Sequence, residues 1–486
     1  MSRMIIPKTD QTFLAYLQER KIPIDATCNG KGTCGKCKVR FIDPIPLPSS
    51  EEIKLLQPDE LNAGIRLACR HTIDADTTIE RLEEAEFTIL GSDVRHFHTD
   101  HPDETIRIAI DIGTTTVVLL AVDGSGTVLD EIRFLNPQRA YGADVLSRIQ
   151  ASQELGIKPI SDALLHSLES ALVSLFTKYP GSRYKIGVTG NPTMTHFFMQ
   201  APVEPIIRVP YSVSVKETKV FQLTDLFPAL DYPAEIIVYP PISAYVGADI
   251  LCGLVELDFF SRKGTHLFLD LGTNGELVLL KNGIAYATST AAGPAFEGGN
   301  LSCGCGSIDG AIHNVFRNDD GSIGFETLSD EPPVGICGSG YIDLFSVLLG
   351  QEMDEGGHLD EIVELTPEIG LTQQDVRMFQ LAKAAIRTGI EILLKKTDTQ
   401  AKEIERFDLA GGFGSGLRID AAITIGLFPK EFNGKIHTVG NTALRGTMKL
   451  LLDESQDPID LSRIHTVELA DEPSLMDEFV DALYFN

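Results

Sequence analysis

Four cysteines constrain this 486-residue chain more than any other feature. Cys28, Cys34 and Cys37 lie in CNGKGTCGKC with C-x5-C-x2-C spacing, and Cys69 follows in RLACR. Four thiolates hold a [2Fe–2S] cluster when a loop wraps it closely. Gly30, Gly32 and Gly35 let the loop turn so that backbone N–H groups face the sulfurs, which gain negative charge on reduction. Lys31, Lys36 and Lys38 are expected to add positive charge nearby. A structural zinc site usually pairs two short C-x2-C knuckles, and here there is one. Disulfides suit small secreted chains, and the N-terminus carries no secretory pattern. The spacing therefore assigns the cluster to Cys28, Cys34, Cys37 and Cys69. Cys252, Cys303, Cys305 and Cys337 are read as reduced thiols of a cytoplasmic protein.

Residues 1–88 read as a strand over Met4–Pro7, a helix over Thr12–Arg20, the cysteine loop, and a strand over Lys38–Ile42. A short helix over Ser49–Leu56 follows, capped by Ser49 or Ser50 with Glu52 supporting its first turn. Leu67–His71 returns to the cluster and Thr77–Leu82 closes the sheet. This order resembles the β-grasp ferredoxin domain, and the cysteine frame is similar to that of plant-type ferredoxins. Residues 89–105 are polar and aperiodic, and are read as a flexible linker on which a cluster domain can swing. His96, His98 and His101 lie there and are not assigned to a metal, because a linker does not hold ligands rigid.

The net charge of −28 argues against nucleic acid as a partner. Residues 1–88 contain 12 Lys+Arg against 14 Asp+Glu, so nearly all the acidity lies beyond them. No apolar run is long enough to span a bilayer, so no membrane partner is expected.

From residue 106 the chemistry changes. Ile106–Ile110 is an apolar strand running into Asp111-Ile-Gly-Thr-Thr-Thr, and His266–Leu271 runs into Asp270-Leu-Gly-Thr-Asn-Gly-Glu. Gly113 and Gly272 let backbone approach a phosphate without a Cβ in the way. Thr114, Thr115, Thr273 and Asn274, with the turn N–H groups, can bond its oxygens. Asp111 and Asp270 can hold the hydrated Mg2+ that accompanies it, and are the expected catalytic carboxylates. One such turn is a weak signal. Two, each ending an apolar strand, are a strong one. Phe407–Ala410 then opens into Gly411, Gly412, Phe413 and Gly414, where backbone can lie flat against a nucleoside.

These three motifs resemble the actin-like (ASKHA) ATPase superfamily over residues 106–486. The resemblance implies two α/β lobes, each on a mixed five-stranded sheet, closing on ATP, with the lobe boundary near 250–265. Pro241–Ile250 and Val439–Gly446 are similar to its two connecting helices, which would form the hinge. The related chaperones carry a glutamate where this chain has Pro240, and Asp249 is placed at the far end of the helix. Poor hydrolysis and poor sugar phosphorylation are therefore expected. Gly190–Met194 reads as a strand-to-helix turn, Gly142–Ser152 as an amphipathic helix, and Leu371–Leu394 as a long helix capped by Thr372. Ala291–Gly299 reads as a glycine-rich loop.

The whole chain resembles the reductive activators of corrinoid proteins, on the cysteine frame and on DIGTTTV, VGADI, DLGTNGE, ICGSGYID and LAGGFGSG. The resemblance implies ATP-dependent transfer of one electron from the [2Fe–2S] cluster to the Co(II) form of a corrinoid methyl carrier, restoring Co(I). It also implies a low-potential electron donor and a homodimer formed through the ATPase domain. Many members carry a middle region between linker and ATPase, and this chain is read as lacking it. The alternatives are an activator of another low-potential metalloenzyme, and a small-molecule kinase or chaperone-like ATPase with a regulatory cluster.

Overall fold

The computed structural model describes residues 3–20, 22, 24–26, 28, 30–82, 96–99, 103–412, 416–453 and 460–486. The first unit is a four-stranded sheet. Arg3–Ile6, Thr77–Arg81, Lys38–Asp43 and Ile65–Leu67 lie side by side in that order, all antiparallel. The helix Phe13–Glu19 starts where the Thr12 hydroxyl accepts from Ala15 N–H. Its Phe13, Leu14 and Leu17 pack on Val39, Phe41 and Ile79 of the sheet. That is the β-grasp arrangement expected from the pattern. Two pieces escaped the sequence reading: the helix Pro58–Asn62 and the strand Ile65–Leu67.

The next two units repeat one topology. In the first lobe Thr105–Ile112 pairs antiparallel with Thr116–Val122, which pairs with Val128–Leu135. On its other side Thr105–Ile112 pairs parallel with Arg183–Gly190, which pairs with Ala234–Val238. The second lobe does the same with Thr265–Leu271, Gly275–Lys281 and Ile284–Thr290 on one side, and Arg406–Ala410 and Ile436–Gly440 on the other. Each sheet has six strands, not the expected five, because Lys219–Gln222 and Ile464–Thr466 add short edges. Both faces are apolar, as strands covered by helices require. Ile108, Ile110 and Ile112 face one core, and Ala109, with Val118 and Leu120, faces another.

The first connecting helix is Ala248–Glu256, and it begins seven residues later than the sequence reading placed it. Pro241–Gly247 is instead a turn, in which the Ile242 and Ser243 N–H groups donate to the Val246 carbonyl. The second connecting helix is Thr442–Leu452, capped by Asn441. The two are exchanged between lobes. Ile250 and Leu254 pack on Phe268 and Val278 of the second sheet, while Leu444 and Met448 pack on Ala109 and Leu120 of the first. They cross in backbone contact: a Cβ on Gly446 would lie 1.8 Å from the Cys252 carbonyl oxygen.

Residues 96–99 and 103–105 of the expected linker are not free. His96 bridges Thr127, Phe97 N–H donates to the Gly126 carbonyl at 2.7 Å, and Asp103 N–H donates to that of Gly124 at 3.1 Å. Thr105 already belongs to the first strand of the lobe. His101 lies outside the described residues. Among the described residues no group of three or more His, Cys, Asp or Glu is placed to hold a single metal ion. Nor is any helix long and apolar enough to cross a membrane.

Candidate functional site: a thiol cluster and a two-lobed nucleotide cleft

The four cysteines converge as two pairs. Cys28 and Cys34 interact through their sulfurs, as do Cys37 and Cys69, and the two pairs feel each other's charge. A [2Fe–2S] cluster places two cysteines on each iron, so two pairs suit it where a single ion would need three or four thiols together. Burial pushes the Cys28 thiol up, but N–H groups of Thr33 and Cys34 and the Thr33 hydroxyl donate to its sulfur, and the net value falls to about 7. Cys37 hydrogen-bonds Cys69, which raises Cys37 and lowers Cys69. Gly30, Gly32 and Gly35 hold left-handed φ of 75°, 75° and 66°, which a side chain would strain. These residues fit the cluster.

The charges differ from expectation. Lys38 is held by Glu60 at 2.6 Å, so its charge is spent there. Arg70, which sequence reasoning missed, lies over Gly32 and helps pull the Cys69 thiol down. Glu52 anchors the returning strand. Fully buried, it accepts from the N–H groups of Leu67 at 2.6 Å and Ser49 at 2.7 Å, and its oxygens lie 2.9 Å from His71 Nε2. This fixes the segment carrying Cys69.

In the ATPase the two Asp-x-Gly-Thr turns face each other across the cleft. Gly113 N–H donates to the Thr116 carbonyl and Gly272 N–H to that of Asn274, each at 3.0 Å. Thr115 Oγ1 lies 3.5 Å from Thr273 Oγ1. Glu297 clasps both, accepting from Thr273 at 2.7 Å and Thr115 at 3.2 Å. Thr114 lies deeper, where its hydroxyl accepts from the Asn191 amide at 3.0 Å. Below the first turn Arg148 is wholly buried, donating to the Thr114 carbonyl at 2.6 Å and to that of Gly142 at 3.0 Å. Burial lowers its pKa to about 9. The glycine turn joins them: a Cβ on Gly411 would meet Asp270 Oδ1 at 3.0 Å. Phe413 and Gly414 lie outside the described residues. At Gly412 a Cβ would touch nothing within 4 Å, and at Gly272 only the Asn274 carbonyl at 3.9 Å. An added Cβ would thus meet open space at both positions among the described residues.

Four carboxylates line the floor. Asp111, Asp249 and Asp270 are half-buried and Glu276 is buried. Asn441 donates to Asp111 at 2.8 Å. Burial pushes Asp111 up to about 6. Burial and then the Asp111 charge push Asp270 to about 7. Burial and then Asp270 and Asp111 push Asp249 to about 8. Burial and then the Asp249 and Asp270 charges raise Glu276, against a hydrogen bond with the Asn274 side chain. None of the four pairs with Lys or Arg among the described residues. No three of them are placed to hold one ion directly, so the set fits Mg2+ met largely through its own water shell and not a closed carboxylate cage. Asp249 is the second residue of the first connecting helix, not at its far end, and lies in the cleft. The placement of Asp249 is corrected, while Pro240 still stands where the chaperones carry their glutamate. Glu276, Glu297, Arg148 and Asn191 were missed. Asn191, in a turn already read as strand-to-helix, and Glu276, the last residue of the second phosphate motif, carried a signal; Glu297 and Arg148 did not.

Comparison with known proteins accounts for all three units. Residues 3–74 match the 2Fe-2S iron-sulfur cluster binding domain, residues 106–262 the RACo middle region, and residues 264–486 the C-terminal domain of RACo, the ASKHA domain. The chain is 31% identical over 443 residues to the corrinoid activation enzyme RamQ of Eubacterium limosum, covering 83% of this chain and 74% of that one. It is 24% identical over 408 residues to the [Co(II) methylated amine-specific corrinoid protein] reductase of Methanosarcina barkeri, covering 74% and 73%. A solved reductive activator for corrinoid,iron-sulfur protein superposes with a TM-score of 0.71 at 27% identity, over 99% of this chain and 96% of that one. The middle region, expected to be missing, is present: it is the first lobe, whose phosphate turn had absorbed it into the ATPase. With a [2Fe–2S] domain and an ATP-binding ASKHA domain in one polypeptide, the chain belongs to the RACo family, the reductive activators of corrinoid proteins.

Proposed function

We propose that this chain is an ATP-dependent reductive activator that delivers one electron to the Co(II) form of a corrinoid methyl-carrier protein and restores Co(I). The observation that carries the reading is the union, in one chain similar along its length to corrinoid activators, of a paired-thiol site and a two-turn nucleotide cleft. Bound to Cys28, Cys34, Cys37 and Cys69, a [2Fe–2S] cluster supplies a one-electron carrier. Asp111 and Asp270, with Asp249 beside them, hold Mg2+. Gly113, Thr115, Gly272 and Thr273 receive phosphate, and Gly411 and Gly412 receive the nucleoside. Reduction of Co(II) is uphill for an ordinary donor. Nucleotide binding favours one lobe arrangement, and the difference in partner affinity between arrangements supplies the coupling free energy.

The same reading includes a low-potential electron donor and a homodimer formed through the acidic ATPase domain. It also includes a cytoplasmic location. The test mixes the cluster-loaded chain with a purified Co(II) corrinoid protein and a low-potential reductant, with and without ATP, and follows cobalt absorbance. Absence of an ATP-dependent Co(I) signal with corrinoid partners of methyltransferase systems would refute it.

A further inference from the structure

One short element joins the first phosphate turn to the cluster domain. The 3-10 helix Pro137–Ala140 begins at Asn136. The Asn136 side-chain amide donates to the Gly113 carbonyl at 2.8 Å, and its backbone N–H to that of Thr115 at 2.8 Å. The far end of the element faces the cluster domain. Arg139 pairs with Asp25, and the Gln18 amide donates to the Ala140 carbonyl. Asp25 stands three residues before Cys28. The side chains of Arg139 and Asp25 are only 17% and 15% exposed, so water screens the pair weakly.

Arg139 also looks the other way. Its positive charge reaches Glu297 and, with the two threonine hydroxyls, opposes the rise that burial imposes on that carboxyl. Arg139 therefore contacts one carboxylate and acts on a second through its charge alone. It is in contact with Asp25, on the cluster side. Glu297, on the cleft side, is engaged elsewhere, bridging Thr115 of the first lobe and Thr273 of the second.

Those two hydroxyls belong to the turns read as phosphate sites. A phosphate placed there needs the donors that Glu297 holds and carries the same sign of charge. Like charges a few ångströms apart in a partly dry cleft repel strongly. Glu297 must leave when phosphate arrives, and Arg139 is a cation whose field already acts on it.

We propose that Glu297 and Arg139 form a relay: the terminal phosphate of the nucleotide expels Glu297 from Thr115 and Thr273, the freed carboxylate captures Arg139, and loss of the Arg139–Asp25 pair releases the cluster domain from the first lobe. The proposal rests on the ATP-binding reading above and adds what the phosphate does. Glu297 and Arg139 are positioning residues. Without nucleotide the cluster domain is held on the first lobe. With nucleotide it is free to present its cluster to a partner. A purely structural role predicts that changing these residues alters stability but not the response to nucleotide.

The test uses the full, cluster-loaded chain with a non-hydrolysable ATP analogue and Mg2+. Calorimetry measures binding, and amide hydrogen exchange reads the two contact segments, Phe13–Arg20 and Gln138–Tyr141. In the wild type, binding should speed exchange in both segments about tenfold, the factor that corresponds to losing roughly 1.4 kcal/mol of contact. Glu297→Gln keeps the size and can still accept from the threonines, so it should bind the analogue yet leave exchange unchanged. Arg139→Ala should exchange fast with or without nucleotide, and Arg139→Lys should restore part of the response. Two results overturn the relay: wild type that binds with unchanged exchange, or Glu297→Gln that responds as wild type does. Wild type that fails to bind the analogue overturns the ATP reading itself. Neither readout needs a corrinoid partner, so failure of cobalt reduction would leave the relay testable on its own.

Discussion

Glu52→Gln should unfasten the cluster domain. The wild-type carboxylate is fully buried and bonded to the N–H groups of Leu67 and Ser49 and to His71. Burial alone would raise its pKa, yet the His71 and backbone donors hold it at about 2, against an ordinary 4.5. That drop corresponds to about 3 kcal/mol at neutral pH, at roughly 1.4 kcal/mol per tenfold. A domain of this size holds about 5 kcal/mol in all, so the variant should lose more than half of it. The neutral amide also presents an NH2 to donors already in place, which leaves at least one of them unpaired. The assay is guanidinium unfolding of the full chain at pH 7, followed by bleaching of the cluster absorbance, with an expected midpoint shift of about 1 M. The sign with pH follows from the depressed value. Above 4.5 the carboxylate is ionised in both states and its contribution is complete. Between 4.5 and 2 the unfolded chain takes up a proton that the folded chain refuses, and the contribution drains away. On the metal-free full chain, the gap between wild type and variant should therefore close as pH falls from 5 toward 2. A loss under about 1 kcal/mol at pH 7, or a gap indifferent to pH in that window, refutes the reasoning.

Other expectations follow from the cleft and the thiols. Asp111, Asp270 and Asp249 hold protons up to about 6, 7 and 8, and Mg2+ needs them ionised. Binding of Mg-nucleotide should thus release protons and tighten from pH 6 to 8, as titration calorimetry in buffers of different ionisation heat would report. A flat profile argues against these carboxylates as the metal floor. Asp270→Ala should impair Mg-ATP use with the cluster spectrum unchanged, and full activity in that variant would remove Asp270 from the site. Cys34→Ala should abolish electron delivery while calorimetric nucleotide binding persists; loss of both together would show that the modules are not separable. Gly446→Val places carbon where the Cys252 carbonyl sits, 1.8 Å away. It should cost about 3 kcal/mol in thermal unfolding of the ATPase, and a neutral substitution would mean that the helices do not touch.

What could be read from sequence was what is local. A cluster imposes its ligands on one short loop, so Cys28, Cys34 and Cys37 stand within ten residues. A phosphate turn ends a strand, so Asp111 and Asp270 announce themselves beside their glycines. Helix caps are equally local: Thr372 with Asp375 and Ser49 with Glu52 form the expected boxes. Glu52 was legible as a cap but not as the anchor of Leu67, because that bond spans the domain. Glu297 sat in a loop notable only for glycine, and its partners Thr115 and Thr273 lie on different lobes. Arg148 read as one polar residue of an amphipathic helix, with nothing local to say that it is buried beneath Thr114. Asp249 was misplaced because the helix pattern was extended back through Pro241, where bonds to the Val246 carbonyl close a turn instead. The middle region was overlooked for a related reason: it carries the first phosphate strand, so its beginning looks like the beginning of the engine.

The crossing of the connecting helices sets the kind of movement that fuel can produce. Each helix lies on the sheet of the opposite lobe, and Gly446 rests directly on the Cys252 carbonyl. Bare backbone against bare backbone allows the two rods to roll about their point of closest approach, but ridges on either side block sliding along it. A rotation about the crossing keeps that contact, whereas sliding along it would break it. A protein docked across both halves would therefore register nucleotide as a change of angle, which swings distant surface through ångströms while the fulcrum stays still.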